Sequence, residues 1–273
     1  MLDNFLLFLL FGAALMLILL LISRIANKPR PAAELPETYR LVLQNNVAFY
    51  NTLKEDDAKS FEQRVQHFLS TVRITGVRTN VDDLDRVLIG ASAIIPIFGF
   101  ADWEYINLDE VLLYPETFSE AFEQTGNQRS VLGMVGDGPM HRTMILSKFA
   151  LREGFSNKTG KDNTAIHEFV HLIDKTDGAV DGVPEVLLQH RYVLPWINLM
   201  HREIKEIVSN ESDINPYGAT SQPEFFAVAS EYFFERPGLL EKKHPELYRM
   251  LEKIFHQGKD IPFERHDKMV DPG

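Results

Sequence analysis

The chain has no cysteine. That excludes disulfides, thiolate metal sites and cysteine nucleophiles, and leaves His, Asp and Glu to do any metal binding. It is also poor in positive charge, with 28 Lys and Arg against 39 Asp and Glu for a net charge of −11. A surface of that sign argues against duplex DNA or RNA as a main partner, because phosphate binding needs a basic footprint. No direct nucleic-acid contact is expected. Beyond residue 30 the chain also lacks an apolar run long enough for a bilayer. The nearest approach, IGASAIIPIFGF at 89–100, is too short to span and is interrupted by Pro96. It predicts a buried helix that ends or kinks at the proline.

The start of the chain differs. Residues 5–22 are an uncharged run of 18 residues, all apolar apart from one Gly. At ~1.5 Å per residue such a helix spans ~27 Å, about one hydrocarbon core. Asp3 precedes the run and no small-x-small cleavage site follows, which favours a retained anchor over a signal peptide. Arg24, Lys28 and Arg30 come directly after, and the positive-inside tendency then puts the rest of the chain in the cytoplasm. The expected organisation is a transmembrane anchor at 1–26, a stiff linker at 27–36 with three prolines, one domain at 37–265 and a tail at 266–273.

Within the domain, apolar spacing predicts helices at 39–50 and 54–71, and a β-branched stretch predicts a strand at 73–79. Asp82 or Asp83 is placed to cap the helix that runs from Leu84 to about Phe98. Residues 111–114 and 143–147 read as strands, with Gly133, Gly136 and Gly138 marking a turn-rich crossover between them. Either strand could hold an extended peptide by strand addition, or could be an ordinary core strand. GFSNKTGK at 154–161 is not a phosphate loop: its spacing is one residue too long, and Asp162 stands where Ser or Thr should be. It reads as a loop leading to Asn163 or Thr164 as a helix cap. Residues 185–210 read as helical, and PEFFAVASEYFF at 223–234 as a very apolar helix. The fold class is α+β, mainly helical, with a small sheet.

HEFVH at 167–171 carries the chemistry. At ~100° per residue Ile166, Phe169, Val170 and Ile173 form one apolar stripe, and His167 and His171 sit together one turn apart, away from it. Two imidazoles at that spacing can grip one metal ion, ideally Zn2+. Glu168, between them, can take a proton from an activated water. Asp174 lies on the histidine side and could accept a ring N–H from one of them. A catalytic zinc needs a third protein ligand. The apolar helix offers two, Glu224 and Glu231, seven residues apart and so on one face. Each is costly to bury without a partner. Ser221-Gln222-Pro223-Glu224 also fits a capping box, in which Glu224 would only bond back to the backbone. Spacing leaves the choice between them open. Tyr217, in the loop entering that helix, could donate to an oxyanion, or could simply be a core or interface tyrosine.

IHEFVHLID, DGVPEVL, NPYGAT and PEFFAVASEYFFERPGLL, together with DRVLIGASAIIPIFGFADWEYI and VLLYPETF, resemble the Mlc titration factor A-like family of bacterial HExxH peptidases over roughly residues 35–260. The resemblance implies a gluzincin-like, zincin-type catalytic domain similar to that of anthrax lethal factor. It implies one Zn2+ per chain held by His167, His171 and Glu224, with Glu168 as general base and Tyr217 stabilising the transition state. Glu231 is then expected to support a ligand from behind. In a bacterium, the anchor would place the protein in the inner membrane as a single-pass protein. The implied function is a zinc metallopeptidase acting on peptides or proteins, with aminopeptidase activity among the family's properties. Asp137, Asp177 and Asp181 are candidate amine binders, with turn roles the simpler reading. The alternative is a regulatory protein that sequesters a partner such as a transcriptional repressor, with the metal site secondary. The apolar run at 5–22 departs from the family's name-giving member, and the stretch between His171 and Tyr217 is shorter.

Overall fold

A computed structural model describes residues 34–100, 103–116, 133–135, 142–156 and 159–255. The expected anchor, most of the linker, Gly136, Asp137, Gly138 and the tail at 266–273 lie outside the described residues. Among the described residues no helix is long and apolar enough to cross a membrane. The expected placement as a single-pass inner-membrane protein with a cytoplasmic domain is corrected on that ground.

The helix expected at 39–50 is two helices, α1 (Glu37–Asn46) and α2 (Ala48–Asn51). Val47 between them is extended, at φ −108° and ψ 97°. Asn46 turns its side-chain amide back onto the Val42 carbonyl, a local bond that competes with helix continuation, while Val47 is buried. α3 (Glu55–Thr71) opens on Glu55, Asp56 and Asp57, three acids at the positive end of the helix dipole. β1 (Arg73–Gly76) stops short of the expected Thr79. The chain folds back so tightly that a Cβ on Gly76 would stand 2.1 Å from the Thr79 carbonyl oxygen, and Arg78 is left-handed at φ 58°.

α4 (Asp83–Ile97) starts on a capping box made by Asp82 and Asp85, and Pro96 falls in its last turn. Its residues from Val87 to Ile97 are buried, as the apolar run predicts. β2 (Glu110–Tyr114), β3 (Gly133–Val135) and β4 (Thr143–Ser147) join β1 in a four-stranded sheet of order β1-β2-β4-β3. The first three run parallel, with Ile74 opposite Val111 and Val111 opposite Met144. β3 runs antiparallel on the edge, with Met134 opposite Ile145. Side chains alternate as a pleat requires: Val111, Leu113, Met144 and Leu146 enter the main core, and Tyr114 and Ile145 pack on the other face. Strands 111–114 and 143–147 are thus both interior, which excludes strand addition at either one and leaves the other reading, an ordinary core strand.

The remaining elements are α5 (Lys148–Ser156), α6 (Thr164–Asp174), a 3-10 turn at Lys175–Asp177, α7 (His190–Val208), a 3-10 turn at Pro216–Ala219, α8 (Gln222–Glu235), α9 (Pro237–Lys243) and α10 (Pro245–Phe255). Gly154 to Ser156 therefore close α5 instead of opening the expected loop. The helix expected from 185 begins only at His190. Before it, the Pro184 carbonyl takes the amides of Leu187 and Leu188 in a turn that buries both leucines without a helix. α6 packs against α4, α8 and β3. This architecture bears out the mainly helical α+β class, and it mounts the HEFVH helix between the sheet edge and the apolar helix.

Candidate metal centre

α6 is amphipathic, as its sequence predicts. Ile166, Phe169, Val170 and Ile173 are all fully buried, and Phe169 meets Phe68 and Tyr105 with ring centroids 5.7 and 5.1 Å apart. That stripe fixes the helix's rotation and turns His167 and His171 together on another side, with their Nε2 atoms 3.1 Å apart. Asn163 starts the helix, its Oδ1 accepting from the Ile166 amide at 3.2 Å.

α8 supplies the carboxylates. Ser221 Oγ accepts from the Glu224 amide at 3.4 Å, which is half of the capping box expected there. The other half is missing, because the Glu224 carboxylate turns to the histidines. Its Oε2 lies 2.9 Å from His167 Nε2 and 3.4 Å from His171 Nε2. Glu231 takes the opposite nitrogen of the same ring, with Oε1 2.6 Å from His167 Nδ1, and its other oxygen accepts the Asn163 amide. The structure thus brings His167, His171 and Glu224 to one point and sets Glu231 behind His167.

The three side chains fit a metal ion. Their ligand atoms all lie within 4.8 Å of one another. Ligands on a tetrahedral ion with 2.0–2.1 Å bonds stand roughly 3.3 Å apart. The observed separations of 2.9, 3.1 and 3.4 Å fall about that figure. A proton donated from Nδ1 to Glu231 leaves the Nε2 lone pair of His167 aimed at the shared point.

The electrostatics match. Glu168 is buried, and its carboxyl is pushed above the ordinary range by that burial first, with Glu224 and Glu231 adding and both histidines opposing. Burial also works against ionisation of Glu224, but the hydrogen bonds and charges of His167 and His171 outweigh it and hold the carboxyl well below the usual range. Tyr217 stands over the site with its ring centroid 6.0 Å from that of His167, and is 53 % exposed. Partial burial, then Glu224 and Glu168, raise its hydroxyl pKa. Asn215 fixes this loop by accepting the Tyr217 amide and by donating to Asp162 just ahead of α6, both at 3.0 Å.

Asp174 does not take the expected role behind a histidine. Its Oδ2 accepts the Gly182 amide at 2.9 Å, and Glu231 has the place behind His167. Burial, with Asp181 adding, pushes the Asp174 carboxyl up to about 6 against the Gly182 amide and His171. Asp177 and Asp181 serve turns, accepting the amides of Ala179 and Val183. Gly182 ties this loop to the site. It is left-handed at φ 76°, its carbonyl accepts from Trp196 Nε1 at 2.7 Å, and a Cβ there would stand 2.5 Å from the Gln222 carbonyl oxygen. The sequence marks Gly182 only as part of an Asp-Gly turn signal and Asn163 only as a candidate cap, and gives Glu235 no role. Glu235 at i+4 from Glu231 was a visible signal.

A second group, Glu203, Glu206 and His244, also has metal-ligand spacing. Both nitrogens of His244 are already engaged, Nδ1 with Glu203 at 3.0 Å and Nε2 with Asp213 at 2.9 Å. Asp213 also takes Lys243 and Tyr232, as well as Lys161. This is an ion-pair hub. The hydrogen bond to Glu203 raises the His244 pKa above 6.5, burial opposes, and Asp213 adds. A raised folded-state pKa stabilises fully below the unfolded value and is lost as pH climbs through the folded one. The wild-type urea midpoint should therefore fall as pH rises upward from about 6.5, and His244→Gln should be weaker at low pH with a flatter profile. Parallel profiles for the two proteins would remove this role.

Residues 23–256 match the family described as glucose-regulated metallo-peptidase M90. A protein of Synechocystis sp. is 28 % identical over 236 residues, covering 81 % of this chain and 84 % of its own length. Mlc titration factor A of Pectobacterium atrosepticum is 24 % identical over 248 residues, covering 85 % and 90 %. Mlc titration factor A of Escherichia coli K12 is 26 % identical over 227 residues, covering 78 % and 83 %. The resemblance seen in the sequence motifs holds for the family. With HEFVH and Glu224 inside the matched span, the chain belongs to the glucose-regulated metallo-peptidase M90 family.

Proposed function

We propose that the protein is a zinc-dependent peptidase of gluzincin type, with one Zn2+ held by His167, His171 and Glu224. The observation that carries this reading is the convergence of those three ligand atoms beside a buried Glu168. The ion supplies Lewis acidity to a water and to the scissile carbonyl. Glu168 takes the water's proton and passes it to the leaving amine, and its burial-raised pKa suits a group that must hold a proton in mid-reaction. Tyr217 donates a hydrogen bond to the oxyanion. Glu231 keeps His167 in the tautomer that presents Nε2. β3 is the strand best suited to receive an extended peptide, since among the described strands it pairs only with β4 and it lies against α6. Aminopeptidase specificity gains no support from Asp177 or Asp181, which are spent on turns.

Metal analysis of purified wild type, Glu224→Ala and Glu231→Ala tests the ligand set. Wild type should carry about one zinc per chain, Glu224→Ala should lose it, and Glu231→Ala should keep it with affinity weakened roughly 10–100-fold. Zinc retained by Glu224→Ala but lost from Glu231→Ala would reverse the assignment.

The relatives' name, Mlc titration factor A, supports a second reading: binding of a regulatory protein partner such as a repressor. In that case Glu168→Gln would leave both partner binding and the cellular effect intact.

A further inference from the structure

Glu231 can steer His167 only if its own carboxylate is held still. The grip on it comes from Asn163, fully buried at the junction of α6 and α8. The Asn163 backbone N–H donates to Glu231 Oε2, the oxygen that does not face His167. Its side chain works in both directions: Oδ1 accepts the Ile166 amide at 3.2 Å, and Nδ2 donates to Glu235 Oε1 at 2.8 Å. Glu224, Glu231 and Glu235 are spaced at seven and four residues along α8 and share one face. One asparagine thus engages two of the three while capping the helix that carries both histidines. The space around it is cut to its shape, since a Cβ on Gly154 would stand 2.9 Å from Asn163 Cγ.

We propose that Asn163, locked by Glu235, is a positioning residue for the metal centre: it sets the register of α6 against α8 and, through Glu231, the aim of the His167 ring. This rests on the metal reading given above. A cap alone would need only Oδ1, and Asp would serve as well as Asn. The Nδ2 bond to Glu235 has no part in capping, so it separates the two roles. Burial, with Glu231 adding, pushes the Glu235 carboxyl up to about 7 against the Asn163 hydrogen bond, so the acceptor oxygen matters more here than a full charge.

The test reverses the polarity of that bond in the full-length chain. Asn163→Asp keeps the cap but sets two carboxyl groups face to face. Glu235→Gln keeps an acceptor for Asn163. The double variant N163D/E235Q lets the Gln amide donate to the new Asp. Zinc affinity by chelator competition and melting of the metal-free protein are measured for all four at about pH 9, above the raised Glu235 pKa, so that the two carboxyl groups of Asn163→Asp cannot settle by sharing a proton. Asn163→Asp should bind zinc roughly 10–100-fold more weakly, the size seen when groups behind a ligand are lost. Glu235→Gln should bind close to wild type, and the double variant should recover most of the loss. Asn163→Asp with wild-type affinity, even with a lower melting temperature, would overturn the proposal by leaving only a structural cap. A double variant no tighter than Asn163→Asp would overturn it too. Wild type that takes up no zinc at all would instead overturn the metal reading, and this inference with it.

Discussion

Glu168→Gln should cut hydrolysis of an unstructured polypeptide by about 10²–10⁴-fold, the usual contribution of a general base, and should keep its zinc. The amide is nearly isosteric with the carboxyl, so the buried pocket around it stays filled. It cannot accept a proton from water at neutral pH. Because Glu168 adjoins the proposed ligand His167 but is not one of the converging groups, metal content separates loss of chemistry from loss of the site. Turnover and zinc stoichiometry are measured on the same preparation. Hydrolysis at the wild-type rate with metal retained would sink the mechanism. Lost hydrolysis with an unchanged cellular effect would favour the regulatory reading.

The second large effect lies in the packing behind α8. Trp196 is fully buried, its ring centroid 6.0 Å from Phe225 and 5.8 Å from Phe226, and its indole N–H donates to the Gly182 carbonyl. Trp196→Ala leaves a cavity and should cost about 3–5 kcal/mol, with ~1 kcal/mol more for the abandoned carbonyl. For a domain of this size that lowers the melting temperature by roughly 8–24 °C. Trp196→Phe should lose little beyond the hydrogen bond, so comparing the two by calorimetry splits packing from polar cost. Equal stability of Trp196→Ala and wild type would mean that the loop and α8 are held elsewhere. Phe225 directly follows Glu224, so the same packing sets where that carboxylate begins.

The parts of this molecule legible in the sequence were those governed by short-range periodicity. HEFVH with its apolar stripe, a cap at Asn163 or Thr164, a cap at Asp82 or Asp83 and the strands at 111–114 and 143–147 all follow from neighbouring residues. Spacing could not separate Glu224 from Glu231, because both lie on one face of α8 and the capping signal at Ser221 was real. The separation depends on which carboxylate meets which nitrogen of His167, 57 and 64 residues away. Asp174 misled for the same reason. Its place on the histidine side is correct, but the left-handed turn at Gly182 brings an amide onto it that no periodicity announces. The two interior strands read like edge candidates because sheet order is set by the crossover through α4 and by β3 pairing outside β4, and strand sequences do not record their neighbours.

The 57-residue interval between His167 and Glu224 also has a consequence for synthesis. A ribosome adding 5–20 residues per second needs roughly 3–11 s to cover it. During that time the nascent chain presents His167 and His171 without Glu224, and on the proposed ligand set a cation bound there would be held weakly enough to leave. Tight capture must wait until α8 has emerged and docked on α6. A metal centre assembled in this order rewards a finished domain, so a truncated or stalled chain would carry little metal.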